Sequence, residues 1–291
     1  MKKRLLKHLI FCEFSLVFLI AVCSNTWADR AFNDKSSVFL PLKERLIADG
    51  FDKKFIDRLY THPGIRFLPQ IVERYITYRE GDLNYSQFLS PRSISMSHKY
   101  LRQYRIPLRK AHEQYGVSPE VIASLLLVET RLGRYVGNYP VLSVLSSLAL
   151  SGMEKKSSLF QCVIAHHIDA EAKEVLKRKS EWAYAELKSF LRYVMRDNLD
   201  PFSIKGSLAG AFGIPQFVPS SLLKYGRDGD GDECVDLYNH YDTIMSVGNY
   251  LKCCGWKESL SRSQKEEILL RYNRSRYYAK TIMDLSERLT E

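Results

Sequence analysis

Apolar positions recur three, four and seven residues apart along most of this chain, the spacing of helices with one buried face. Phe39 to Gly50 carries that period and stops at a glycine. Phe55 to Tyr60 repeats it until His62-Pro63-Gly64 breaks it, and Leu68 to Tyr78 gives a third short helix. Tyr85 to Ser93 is turn-rich and holds no acid pair or ligand cluster. The spacing predicts helix again from Met96 to Tyr115, ended by Gly116. Further on, Pro140 and the apolar run to Leu150 predict one helix. Tyr184 to Met195 predicts an amphipathic one, with Leu187, Phe190, Leu191 and Val194 on a single face. Asp242 to Leu251 predicts another, ending near Gly255-Trp256. The expected fold class is mainly α.

Val117 to Gly133 stands apart. Ser118 suits an N-cap and Pro119 the first helical position, where a missing N–H costs nothing. Nine of the ten residues from Val121 to Thr130 are uncharged, and the exception is Glu129. Ile122, Leu125, Leu126 and Leu132 lie three, four or seven positions from it, on the same expected face. A carboxyl among such neighbours loses hydration, which disfavours its charged form and raises its pKa. A proton donor near neutral pH needs that property, although a structural acid bonded to a buried Arg or to backbone N–H groups fits the spacing too.

At 291 residues, 45% apolar and 26% charged, the chain holds a sizeable core. Its first segment bears on compartment. Met1 to Lys7 is a basic n-region, Leu9 to Val22 an apolar core interrupted by Glu13, and Thr26-Trp27-Ala28 a cleavage site, so residues 1–28 read as a secretory signal peptide. Cys23 opens the alternative of a lipid-modified N-terminus, but Ile-Ala-Val before it departs from the lipoprotein pattern, so soluble export is expected over anchoring. The leader supplies three of the ten formal positive charges, leaving about seven on the mature chain. Such a balance suits an acidic polymer or anionic lipid. Nucleic acid is not expected, for no helix-turn-helix, zinc-finger or ribonucleoprotein pattern accompanies it. Beyond the leader, Cys162, Cys234, Cys253 and Cys254 permit one or two disulfides whose pairing the spacing leaves open.

Three later stretches carry chemistry. His166-His167-Ile-Asp169-Ala-Glu171 invites a metal reading, but nothing else converges there and a solvated helix face is expected. Gly206 to Ser221 packs three glycines and two prolines into fourteen residues. That composition excludes one regular helix and suits a backbone passing close to a ligand, with Ser207 and Gln216 as polar contacts. Asp228-Gly-Asp-Gly-Asp-Glu-Cys carries Asp228, Asp230 and Asp232 at positions 1, 3 and 5 of an EF-hand type calcium loop, with the Cys234 carbonyl at position 7. Glu233 stands where that pattern has Gly, and Asn239 where it has a closing Glu.

Glu129-Thr-Arg-Leu-Gly-Arg with Gly137 and Val141 to Leu148 resembles the catalytic segment of the membrane-bound lytic murein transglycosylase B family, and Gly206 to Ser221 resembles its glycan-binding motif. Leu270 to Lys280 is similar to its C-terminal Tyr-Asn motif. Lys155-Lys156 lies near where the family often has two arginines, and the stretch between Glu129 and Gly206 runs longer than usual. The resemblance implies a lysozyme-like catalytic lobe over 116–291, an N-terminal helical region over 29–115, and a calcium-type loop over 228–242 closed by Asp242. It implies cleavage of the β-1,4 MurNAc–GlcNAc bond of peptidoglycan into 1,6-anhydromuramic ends, with Glu129 as the single acid and base. Ser207, Gln216, Tyr250, Tyr272, Asn273 and Tyr278 fall on its substrate-binding positions, tyrosine faces stacking on sugars. Structural Ca2+ is the one cofactor implied and no organic cofactor is expected. A periplasmic monomer acting on glycan strands, associated with the outer membrane if lipidated, completes the expectation. A hydrolytic muramidase and a non-catalytic peptidoglycan-binding protein are the alternatives.

Overall fold

The computed structural model describes residues 38–77, 84–153 and 170–290, among which twelve α-helices and one two-stranded sheet are present. The leader, Lys155-Lys156, Cys162 and the His166–Glu171 cluster fall outside the described residues and side chains. The chain divides into two compact units. In the first, α1 (Leu40–Ala48) and α2 (Lys53–Thr61) bury Leu42, Leu46, Ile56 and Leu59, and the Asp52 carboxylate caps α2 by accepting from the Phe55 N–H at 2.8 Å.

The second unit begins at Phe67 and carries everything else of interest here. Its helices are α3 (Pro69–Thr77), α4 (Pro91–Gln103), α5 (Arg105–Tyr115), α6 (Pro119–Thr130), α7 (Val141–Leu150), α8 (Ala170–Arg196), α9 (Pro219–Tyr225), α10 (His240–Cys253), α11 (Arg262–Leu269) and α12 (Arg276–Thr290), with a 3-10 turn at Tyr85–Leu89. Helix α6 is the axis. Val121 to Leu127 are all buried, and it packs against α12, α4, α5 and α10. Helix α7, buried along its whole length, lies against α8.

Four expectations need correction. The helix expected from Met96 to Tyr115 starts earlier, at Pro91, where Ser90 caps it, and it breaks at Tyr104. Pro107 explains the break, because its ring has no N–H to give residue 103 and crowds the preceding turn. Ser118 occupies the N-cap of α6 but makes no side-chain cap bond. Leu132 does not share the helical face of Glu129, since α6 ends at Thr130 and Leu132 sits in the left-handed region at φ 62°. The amphipathic helix expected over Tyr184–Met195 is the C-terminal part of the 27-residue α8.

The Gly206–Ser221 segment folds as a hook rather than a helix. Strand β1 (Tyr139–Pro140) pairs antiparallel with β2 (Lys205–Gly206), and bridges Gly206–Phe212 and Phe212–Phe217 close the hook on itself. Phe212 fills it from beneath, packed between Tyr193 of α8 and Tyr238 at ring distances of 6.0 and 6.5 Å. Buried Glu186 of α8 fixes its exit, accepting from the Ser220 N–H at 2.9 Å and the Ser220 hydroxyl at 2.7 Å. That carboxylate therefore sits on the N-terminal turn of α9, where a negative charge is favoured.

Candidate active site

Glu129 is the penultimate residue of α6, half-buried at the point where the buried helix meets the surface. The chain leaves the helix through two consecutive left-handed residues, Arg131 at φ 50° and Leu132 at φ 62°. Non-glycine residues adopt this conformation at a cost of about 1–3 kcal/mol each, so the surroundings must hold the bend. They do so through Thr130, whose hydroxyl donates to the Ile214 carbonyl at 2.8 Å and accepts from the Gly133 N–H at 3.0 Å. One buried side chain thereby ties the end of the Glu129 helix to the hook.

A second tie lies further along the bend. The Gln216 amide donates to the Val136 carbonyl at 3.0 Å and to the Gly213 carbonyl at 2.8 Å, from a backbone at φ 51°. Gly137, at φ 92°, then passes so close to Gly206 that a Cβ would stand 2.2 Å from the Gly206 carbonyl oxygen. The Ser207 hydroxyl accepts from the Ala209 and Ala211 N–H groups at 3.3 and 3.2 Å, stiffening the turn. Ser207 and Gln216 are thus half-buried at the hook, each already engaged with backbone.

The aromatic residues converge on Glu129 from the other side. The Tyr278 hydroxyl donates to Glu129 Oε1 at 2.5 Å. Burial, and then the Glu129 charge, push the Tyr278 phenol well above its usual range, so it stays a neutral donor. Its ring lies nearly parallel to that of Tyr272 at 6.3 Å, and Tyr272 meets Tyr250 edge-on at 4.9 Å. The Tyr272 hydroxyl donates to the Pro215 carbonyl at 2.5 Å, and that of Tyr250 to the Arg271 carbonyl at 2.8 Å. Phe217 packs on both rings. Tyr250 and Tyr278 are buried, so neither offers an open ring face. Tyr272 and Asn273 are half-buried, and the Asn273 side-chain Oδ1 accepts from the Ser275 N–H at 3.1 Å.

Sequence reasoning passed over Thr130, Gln87 and Tyr85. The Arg131 guanidinium donates to the Gln87 side chain and lies 5.5 Å from the Phe88 ring centre, bringing the 3-10 turn to the bend. Tyr85, in that turn, is close enough to Tyr278 to raise its phenol further. Thr130 and Arg131 stood in the recognised string; the turn at Tyr85 had no signal beyond an aromatic residue.

The acidic loop brings together Asp228, Asp230 and Asp242, each with an oxygen within 4.8 Å of the others. Asp242 is buried at the start of α10 and accepts N–H bonds from Gly229 at 2.8 Å and Asp236 at 2.7 Å. Burial pushes its carboxyl up and those two bonds pull it back. Backbone N–H groups, that of Gly231 foremost, hold Asp228 below its ordinary value. Asp232 is not in the trio, and its carboxylate accepts from the Cys234 N–H at 2.8 Å. Asn239 donates to Asp230 at 2.6 Å and caps α10 at Tyr241. Glu233 takes the left-handed turn at φ 69° for which the calcium pattern prefers Gly. Three carboxylate oxygens around one point, one of them on a buried group, fit a hard divalent cation. Cys234, Cys253 and Cys254 are free thiols, so no disulfide joins the described cysteines.

The family described as transglycosylase SLT domain matches residues 34–265. The membrane-bound lytic murein transglycosylase B of Escherichia coli K12 is 33% identical over 170 residues, 58% of this chain and 40% of that protein. The chain therefore spans about two-fifths of that relative's length. Among solved structures, the Escherichia coli lytic transglycosylase Slt35 in complex with calcium superposes at a TM-score of 0.68 with 23% identity, covering 89% of this chain and 94% of that one. The Pseudomonas aeruginosa protein SltB3 in complex with NAG-anhNAM-pentapeptide does so at 0.70 with 19% identity, covering 89% and 80%.

Proposed function

The chain belongs to the transglycosylase SLT domain family, and from that premise we propose that it cleaves the β-1,4 MurNAc–GlcNAc bond of peptidoglycan without water. The observation that carries this reading is Glu129, half-buried, bonded to a neutral Tyr278, and held where the hook and the tyrosine column meet. Most glycosidases need a second carboxylate as nucleophile or as activator of water. Residues 85–89, 131–137, 206–217 and 270–280, which the structure brings to Glu129 and its bend, contain no Asp or Glu. An internal nucleophile removes the need. Protonated Glu129 gives its proton to the leaving glycosidic oxygen. As a carboxylate it then takes the proton of the muramic C6 hydroxyl, whose oxygen bonds to C1 and closes the 1,6-anhydro ring. One proton leaves the carboxyl and one returns, so the acid is regenerated with each turnover.

Ser207, Gln216, Tyr272 and Asn273 are assigned to the glycan, with Tyr250 and Tyr278 supporting them from beneath. The loop is assigned to Ca2+, held by Asp228, Asp230 and Asp242, with Asp232 and the Cys234 carbonyl as further donors. Calcium's role there is to neutralise the two loop carboxylates and Asp242 at the start of α10. Export after loss of residues 1–28 accompanies this reading. Among the described residues no helix is long and apolar enough to cross a membrane.

Mass spectrometry of fragments released from purified peptidoglycan tests the reaction. Anhydro-ended muropeptides are the expected product, whereas reducing ends would turn the reading to hydrolysis and no release would sink the enzyme. Two further results are expected. Tyr278→Phe removes a hydrogen bond to a charged group, worth about 1.5–3 kcal/mol, and turnover should fall roughly ten- to a hundredfold. Wild-type turnover in Tyr278→Phe would remove Tyr278 from this role. Calcium at about a hundred times its Kd should stabilise the wild type by about 2.7 kcal/mol, a rise in Tm of roughly 4–5 °C for a chain of this size. Asp242→Asn should abolish that rise, and a calcium shift surviving in the variant would place the cation elsewhere.

A further inference from the structure

Residues 91–115 hold six Lys and Arg against one acid, Glu113, a net five of the chain's ten formal positive charges. Their distribution is not random. In α4, Arg92, Lys99 and Arg102 lie three or seven positions apart and share a face, and in α5 Ile106, Arg109, Lys110 and Glu113 do the same. Ser93, Ser97, Tyr100, Leu108, Ala111 and Tyr115 occupy the opposite, buried face. The break at Tyr104 leaves this division intact on both sides. Arg92, Lys99, Arg102, Arg105, Arg109 and Lys110 are all exposed.

Little in the protein answers these charges. Arg109 lies 3.6 Å from Glu113, and Lys110 turns aside to the Gly229 carbonyl at 3.4 Å, beside the acidic loop. Among the described residues no carboxylate pairs with Arg92, Lys99, Arg102 or Arg105. Ile106, in the first turn of α5, is 64% exposed. Two cations, Arg105 and Arg109, flank it in sequence.

We infer that this face docks on an anionic lipid surface. Guanidinium and ammonium groups spread over a helix pair match a plane of lipid phosphates. The isoleucine between them reaches the acyl boundary, as apolar residues do on helices that lie in an interface. The same cations would attract an acidic polymer, but a hydrated polymer gives Ile106 nothing to be buried in. That residue decides the partner. The contact is separate from any attachment through the N-terminal leader, and from the chemistry at Glu129.

Flotation of the full chain with phosphatidylcholine vesicles, with and without phosphatidylglycerol, tests the inference. Wild type is expected to float with the anionic vesicles and to be released by salt. The variant Lys99→Glu/Arg102→Glu/Arg105→Glu carries the same leader and should bind at least about a hundredfold more weakly. Ile106→Ser should bind roughly tenfold more weakly with its salt dependence kept. These side chains are exposed, so melting temperatures should match wild type, and Ile106→Ser and Lys99→Glu singly carry the test should the triple variant not fold. Equal flotation of wild type and variants would overturn the inference, and so would absence of flotation. Loss of sedimentation on purified peptidoglycan in the triple variant, without any vesicle binding, would replace lipid by the acidic polymer.

Discussion

Glu129→Gln should lower turnover on peptidoglycan by about 10³- to 10⁴-fold while leaving the protein folded and able to sediment with its polymer. General acid or base catalysis by one positioned group contributes roughly 10²- to 10⁴-fold. Here one group performs both transfers, so the loss belongs at the upper end of that range. Gln has nearly the same shape, and its carbonyl oxygen still accepts the Tyr278 hydroxyl that now lies 2.5 Å from Glu129 Oε1. The Thr130–Ile214 and Gln216–Val136 ties do not involve the carboxyl at all, so the bend keeps its course. Geometry is preserved and only the proton is lost. Turnover measured beside the melting temperature and the bound fraction separates these effects. A variant retaining a tenth of wild-type activity would show that another group delivers the proton.

Local pattern made much of this fold legible. A run of apolar residues broken by one carboxylate marked α6 and Glu129, Gly116 closed the helix before it and Pro119 opened it, because start and stop signals act through the backbone of their own neighbours. Pro107 was equally visible as a residue, yet its effect was missed because the apolar period runs on through Tyr104 as if the helix were continuous. Pairing across the chain was not legible. The contact between Tyr278 and Glu129 spans 149 positions, and that between Gln216 and Val136 spans 80. Spacing carries no information at such separations. The family resemblance supplied Tyr278 as a name on a list of groove residues, whereas in the structure its ring is buried and its hydroxyl is bonded to the Glu129 carboxyl. In the acidic loop the regular positions 1 and 3 were readable, while the closing Asp242 came only from the resemblance, since it lies on the next helix rather than within the pattern.

Gly137→Ala should cost about 2–5 kcal/mol and take the activity with it. Two terms add. A residue with a Cβ pays roughly 1–2 kcal/mol for a left-handed backbone, and Gly137 sits at φ 92°. Its Cβ would also stand 2.2 Å from the Gly206 carbonyl oxygen and 2.9 Å from the Ser207 nitrogen, both backbone atoms that no rotamer change can move aside. Separating them costs about 1–3 kcal/mol of overpacking. Relief can come only by parting the bend from the hook, and that strains the Gln216 bond to Val136 and the Thr130 bond to Ile214 together. The carboxyl of Glu129 would then no longer face the groups assigned to the sugar. Gly255 provides the control, for it has φ 97° with nothing within 4 Å of a Cβ. Gly255→Ala should therefore show the backbone term alone, about 1–2 kcal/mol, with turnover unchanged. Urea unfolding of the two variants reads the difference directly. Equal losses would mean that the bend and the hook give way freely, and the close approach of Gly137 to Gly206 would then have no part in holding the site.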